Sequence, residues 1–334
     1  MSQAKKSLYD LYPRLTDTMV NGIRPILPKG ERKKKKSEIL GGVFSDMPHM
    51  LHSLDFLIMS EESLWERHGS QVIFPESPLV LDNFAKARFN LESSEGFRLP
   101  FESFMLAMPH GYSFMGTVLP GLLVTFIDYF TSQEQTIFPF CDALKLQRPN
   151  NVAHNQEVRK GARALSISYR DPKNSQGYAR MLVSEDKIPS LLKANSNADF
   201  ESIMGYYHDK LGVLELDEHD LDIQFKAVRL IAALGVYNLA TEGERLKTGF
   251  PGQVVPRMNF KNPDMPIRMT TLSSHAPSQI PKNSPESHYR TWHIRQLRDE
   301  RYYRGKFENL PRGSRFVFVP DSVVNASVSP NTQF

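Results

Sequence analysis

The stretch that most restricts the fold lies between residues 221 and 240. Leu221, Phe225, Val228, Ala232 and Gly235 or Val236 recur at helical spacing, and Leu230, Ile231 and Leu234 fill the positions beside them. A helix that is apolar over so much of its circumference must be buried, and a sheet is the partner broad enough to cover it. A helix over 219–241 is therefore predicted. Its approach carries Glu215, Asp217, Glu218, Asp220 and Asp222 around His219. Acids belong at a helix N-terminus, where they cap amides and oppose the dipole. One histidine among adjacent acids lacks metal-ligand spacing, so no metal site is expected there.

The sheet that this helix needs is expected in the middle third. Residues 101–108, 122–130 and 136–140 are rich in aromatic and branched residues and are separated by proline and glycine turns. Leu165, Ile167 and Tyr169 alternate with Ser166, Ser168 and Arg170, the pattern of a half-exposed strand. The polar stretch 171–177 then joins it to a second strand over 178–184, giving a hairpin and a central antiparallel sheet.

On either side the chain reads as helical. Leu8, Leu11, Leu15 and Met19 recur at a helical period, with Pro13 either interrupting the middle or marking a first turn, and Leu54, Leu57, Ile58 and Leu64 form an apolar side within 50–68. Ser77-Pro78 is a start signal, a hydroxyl at the cap followed by proline at the first helical position. Another helical region is expected over 188–211. The basic run from Arg32 to Lys36 reads either as a solvated loop or as a phosphate contact, with no aromatic residue interleaved. The α+β fold expected from these patterns divides into a helical part (1–95), the central sheet (96–186), helices packed on it (187–245), a connector (246–287) and a basic C-terminal element (288–325). Residues 250–287 hold seven of the 23 prolines, which marks the connector as extended.

Composition sets the broad class. With 40% hydrophobic and 23% charged residues, the chain of 334 reads as globular rather than disordered. A single cysteine, Cys141, excludes an intramolecular disulfide framework and favours a reducing compartment. No secretory leader is visible, and the longest apolar run, near 230–240, reads as too short to span a bilayer. A cytoplasmic protein without a membrane partner is expected. No phosphate-binding loop, dinucleotide fingerprint, zinc motif or nucleophile elbow occurs, and no cofactor is expected. His110 and His154 read as structural.

The chemical signal is concentrated at the C-terminus. Between residues 286 and 315 there are seven arginines and one lysine against four acids, a surplus that equals the +4 of the whole chain. His288-x-Arg290 and His293-x-Arg295 stand five residues apart. In extended backbone each pair would lie on its own face, and a bend at Thr291-Trp292 would bring the two together. Arg290, Arg295, Arg298, Arg301, Arg304 and Arg315 offer forked donors suited to phosphate. Trp292, Tyr302 and Tyr303 offer flat faces on which bases stack. For the two histidines three uses stand open: general acid and base for phosphodiester cleavage, metal ligation, or polar contact within a binding surface.

The order His288, Arg290, His293, Arg295, Arg304-Gly305, Arg315, Pro320 and Val324 resembles the C-terminal signature of a phage-encoded group that contains the type V-A anti-CRISPR acting on the effector's messenger RNA. The residue matches cover about forty positions, with Thr291-Trp292 and Ile294 departing from the family pattern. The remainder is similar in layout. The resemblance implies a body that recognises a nascent polypeptide or its ribosomal translation complex, and loss of the target protein through loss of its message. It leaves open whether His288 and His293 cut RNA or whether a host nuclease is recruited. Two other classes are compatible with the same sequence: a virion or assembly component, and a non-catalytic RNA- or DNA-binding regulator.

Overall fold

The structure is a computed structural model, and it describes residues 8–46, 53–87, 89, 91, 94, 96–128, 136–146, 163–173, 177–204, 218–252, 266–274, 288–290, 293–319 and 322–324. A short strand β1 (Tyr9–Asp10) precedes three helices, α1 (Leu15–Ile23), α2 (Lys36–Asp46) and α3 (Ser53–Arg67). A β-α-β unit follows, made of β2 (Gln71–Pro75), α4 (Pro78–Lys86) and β3 (Ser103–Leu106). Next come the short strands β4 (Met108–Pro109), β5 (Ser113–Phe114) and β6 (Thr117–Val118), then β7 (Leu122–Asp128) and α5 (Phe138–Leu144). The hairpin β8 (Arg163–Arg170) and β9 (Tyr178–Ser184) leads to α6 (Ile188–Lys193), α7 (Asn197–Met204) and α8 (Glu218–Ala240). The last strands are β10 (Leu246–Thr248), β11 (Arg268–Leu272), β12 (His288–Arg290), β13 (His293–Leu297), β14 (Arg315–Val319) and β15 (Ser322–Val324).

The architecture is α+β, built on a seven-stranded sheet of order β10-β11-β2-β3-β7-β8-β9. The sheet is mixed rather than antiparallel, because β2 runs parallel to both of its neighbours. It also reaches beyond residues 96–186. β2 comes from the part expected to be helical, and β10 and β11 come from the region expected to be an extended connector. The reason is physical: β2 is a run of five buried residues without period-2 alternation, and a short continuous apolar run does not declare its conformation. Residues 136–140 differ as well, since α5 starts there, with Pro139 in its first turn.

Alternation along the strands divides the core into two layers. Ile73, Phe104, Leu106, Val124, Phe126, Leu165 and Ile167 pack with α4, α6 and α8 on one face. Val72, Phe74, Met105 and Leu123 pack with α1, α2, α3 and α5 on the other. With helices on both faces, β8 is buried on both sides, Ser166 and Ser168 included, and is not half-exposed. Each large side chain so buried contributes about 1.5–3 kcal/mol.

The helix over 218–240 is α8, and its fourteen buried residues account for its apolarity. It is long and apolar enough to cross a membrane, contrary to the shorter run read from the sequence, but 78% of its most apolar stretch lies inside the protein. At Gly235 an added Cβ would sit 2.7 Å from the Phe97 ring, so a side chain at this position would force that ring to shift.

Charged groups tie the other face together. Glu62 of α3 is fully buried, and its carboxylate accepts from the amides of Leu15 (2.6 Å) and Thr16 (3.0 Å), from the Thr16 hydroxyl and from the Tyr12 hydroxyl (2.9 Å). It caps the first turn of α1 from a neighbouring helix, satisfying amides that have no partner within α1. Burial pushes its pKa up, against the opposing pull of Arg14, the Thr16 amide, Lys36 and Tyr12. Beside it, Glu61 receives Arg180 of β9 through two nitrogens at 3.0 and 2.7 Å.

Candidate nucleic-acid interface

The basic C-terminal element is a two-stranded antiparallel ribbon. β12 pairs with β15 and β13 with β14, and both ladders keep one register: His288 lies opposite Val324, Arg290 opposite Ser322, His293 opposite Val319 and Arg295 opposite Val317. Residues 298–314 form an excursion between β13 and β14 that contains two short 3-10 turns, Glu300–Tyr302 and Gly305–Phe307.

Period-2 alternation sorts the ribbon's residues. Ile294, opposite Phe318, and Phe316, opposite Gln296, turn inward and belong to the same apolar core as α8. Phe318 meets Tyr237 of α8 edge-on at 5.8 Å, and burial pushes the Tyr237 phenol up to about 12. Ile294 also bridges to Phe89 beyond the end of α4. The element is therefore continuous with the body at its apolar face. Arg295, one residue along, is exposed.

The excursion is held by one phenol. Tyr303 is 7% exposed; its hydroxyl donates to the Leu297 carbonyl (2.6 Å) and accepts from the amides of Gly313 (2.6 Å) and Arg315 (3.3 Å). Gly313 takes φ +87, a backbone state unfavourable for residues with a Cβ, and its carbonyl accepts from Gln296 Nε2 at 2.6 Å. Arg315 donates to the Tyr302 carbonyl and stacks over the Phe307 ring at 3.4 Å, with Lys306 above the same ring at 4.7 Å. Two residues expected as nucleic-acid contacts thus have internal tasks. Tyr303 presents no free ring for stacking because it is buried, and Arg315 spends its planar fork on the excursion.

Of the remaining expected contacts, those whose side chains are described face outward. Arg298, Arg301 and Arg304 are exposed on the excursion, with Lys306 and Arg312 among them. Arg298 reaches Gln296 Oε1 at 3.4 Å, Arg301 lies over the Tyr302 ring at 4.8 Å and near Asp299 at 3.7 Å, and Arg312 pairs with Glu300 at 2.6 Å. Among the described residues Arg295 and Arg304 have no carboxylate partner. Lys306, Phe307 and Arg312 join the surface without having been expected from the sequence, although the same basic cluster contains them. Only the fold separates Arg304, directed to solvent, from Tyr303 beside it.

The histidine pairs occupy strands, with two residues between them on each side of the ribbon. The side chains of His288, Arg290 and His293, and Trp292 entirely, lie outside the described residues, as do 275–287 of the connector and the acidic approach to α8 at 215–217. Among the described residues no three histidine, cysteine, aspartate or glutamate side chains converge as a metal ion would require. In chemical terms the described part of the ribbon is a fixed display of guanidinium groups, two of them without a carboxylate, suited to oxygen anions at more than one point along a chain. Comparison with protein-family models, with characterised proteins and with solved structures found no match.

Proposed function

We propose that this is a phage or mobile-element protein that acts in the host cytoplasm and suppresses a host protein, such as a CRISPR effector, at the level of its messenger RNA. The ribbon is the RNA-contacting surface. Arg295 and Arg304 bind phosphate, Arg298 and Arg301 extend the track, and His288 and His293 act at the same ribbon as an acid–base or contact pair. Recognition of the nascent polypeptide or its ribosome falls to the body. The observation that carries this reading is the outward array of arginines on an excursion fixed by Tyr303. A rigid array loses less freedom on binding than a mobile tail.

The test is transcript abundance in cells that express a tagged target together with wild type, Arg295→Ala/Arg304→Ala or His288→Ala/His293→Ala. Each double variant should leave the transcript near its level without the protein, while purified variants keep the wild-type denaturation midpoint. Undiminished knock-down by both folded variants would sink the reading. The non-catalytic regulator has one observation in its favour, the internal use of Arg315, which leaves fewer free cations for transition-state charge. It predicts RNA binding with a steep salt dependence and an intact transcript.

A further inference from the structure

The run from Arg32 to Lys36 lies far from the ribbon. It spans the end of the connection between α1 and α2 and the first residue of α2; both helices pack on the sheet face that carries Val72 and Phe74, whereas the ribbon packs on the face that carries Ile73. Neighbouring residues of one strand point to opposite faces, so the loop and the ribbon sit on opposite sides of the sheet. From residue 24 to residue 38 the loop holds seven cations, Arg24, Lys29, Arg32, Lys33, Lys34, Lys35 and Lys36, against Glu31 and Glu38. That local surplus exceeds the +4 of the whole chain.

The loop is built rather than loose. Arg24 Nη1 donates to the Arg32 carbonyl at 2.8 Å, and Arg32 Nε to the Leu27 carbonyl at 2.9 Å. The Glu31 and Arg32 amides both return to the Pro28 carbonyl, and the Lys35 amide is capped by Glu38 at 3.0 Å. Lys36 is drawn inward to Asp17 at 2.9 Å, and Lys34 pairs with Glu31 at 3.2 Å. Lys29, Lys33 and Lys35 remain exposed, without a carboxylate partner among the described residues. The fold gains nothing evident from gathering these charges. They repel one another, and those at the start of α2 oppose its dipole.

We infer that this loop is a second polyanion-binding surface and that it docks on the phosphate backbone of double-helical nucleic acid without reading sequence. Ammonium groups on flexible stems act as point charges that suit phosphate, and counterion release supplies the affinity. No aromatic residue occurs between residues 20 and 43, so unpaired bases would find no stacking platform. The apolar complement is Ile26, 81% exposed between Pro25 and a half-buried Leu27. One isoleucine gives little to insert into a bilayer, which favours a duplex backbone over a lipid surface. This inference does not depend on the reading of the ribbon, because the two surfaces share no residue.

The test is fluorescence anisotropy of the full chain on RNA and DNA duplexes of unrelated sequence, between about 50 and 200 mM salt. Lys29→Glu/Lys33→Glu/Lys35→Glu should bind either duplex at least about tenfold more weakly, with the log–log salt slope reduced by roughly 0.9 for each phosphate no longer neutralised. The three lysine-to-arginine changes should restore both, and the denaturation midpoint of the charge-reversed protein should not fall below that of wild type. Wild-type affinity and slope in the charge-reversed protein would overturn the inference. So would wild type that binds phosphatidylserine vesicles and neither duplex. In parallel, Arg295→Ala/Arg304→Ala reports on the ribbon alone: unchanged knock-down there defeats the ribbon reading while the duplex slope still decides the loop.

Discussion

The α1–α3 face and the C-terminal ribbon are both dense in charge, yet the protein treats them in opposite ways. Under α3, Glu61, Glu62, Arg14 and Arg180 are drawn inward and spent on each other, on helix amides and on hydroxyls. Arg14 pairs with Glu66 and Asp17 and lies over the Trp65 ring, so its charge reaches no solvent. On the ribbon a buried phenol does the fixing, and most of the arginines around it are left facing outward. Where charges hold the fold, they are consumed by it. Where an uncharged group holds the fold, charges remain exposed to solvent.

That contrast can be broken most forcefully at Glu62. Glu62→Ala leaves two helix amides and a phenol without their buried acceptor, and a loss of about 3–5 kcal/mol is expected from such a deletion. Urea denaturation followed by circular dichroism measures it; a loss below about 1 kcal/mol would mean that water replaces the carboxylate and that the face is not held by charge. A smaller effect is expected from Tyr303→Phe, which removes one hydroxyl that serves three backbone groups, at about 1–3 kcal/mol. Here limited proteolysis should cut residues 298–314 before the body unfolds, and protection equal to wild type would show that the phenol is dispensable.

Asp222 sharpens the comparison at the surface. Burial works to raise its pKa, but Lys226 at 2.7 Å, the Thr117 hydroxyl and Asn197 prevail and hold the carboxyl below the usual range. A carboxyl with a depressed folded-state pKa adds stability above its unfolded pKa of about 3.9 and loses it as pH falls through the folded value. Asp222→Asn should therefore be less stable than wild type at pH 7, by no more than about 1 kcal/mol for a partly exposed pair, with the difference closing in acid. A difference that persists unchanged at about pH 2 would assign the effect to packing. The smallest effect on stability belongs to Arg295→Ala/Arg304→Ala, whose midpoint should match wild type while the salt slope of single-stranded RNA binding falls by roughly 0.7 for each phosphate released. A lowered midpoint with an unchanged slope would make these arginines structural.

Long-period patterns are legible in the residues alone. The helix at 218–240 differs from its expected bounds by one residue at each end, and the hairpin of β8 and β9 lies where Leu165, Ile167 and Tyr169 placed it. Ser77-Pro78 likewise opens α4. Shorter pieces are ambiguous. Gln71–Pro75 and Arg268–Leu272 are five residues each, too short for periodicity to declare them strands, and they enter the sheet through their neighbours, β2 between β11 and β3, and β11 between β10 and β2. Pro13 marks the approach to α1 rather than the middle of a longer helix, since α1 starts at Leu15 under the Glu62 carboxylate.

The class of fold, the buried helix and the location of the basic C-terminal element follow from residue type and local spacing. Which charged residues are free follows instead from how the layers pack. Tyr303 and Arg304 are neighbours in the chain, yet one lies under the excursion and the other faces solvent. Arg180 and Arg295 are the same residue on exposed-looking strands, yet one meets Glu61, 119 positions away, and the other meets no carboxylate among the described residues. Partners so distant along the chain are set by how layers pack, and no local pattern records them.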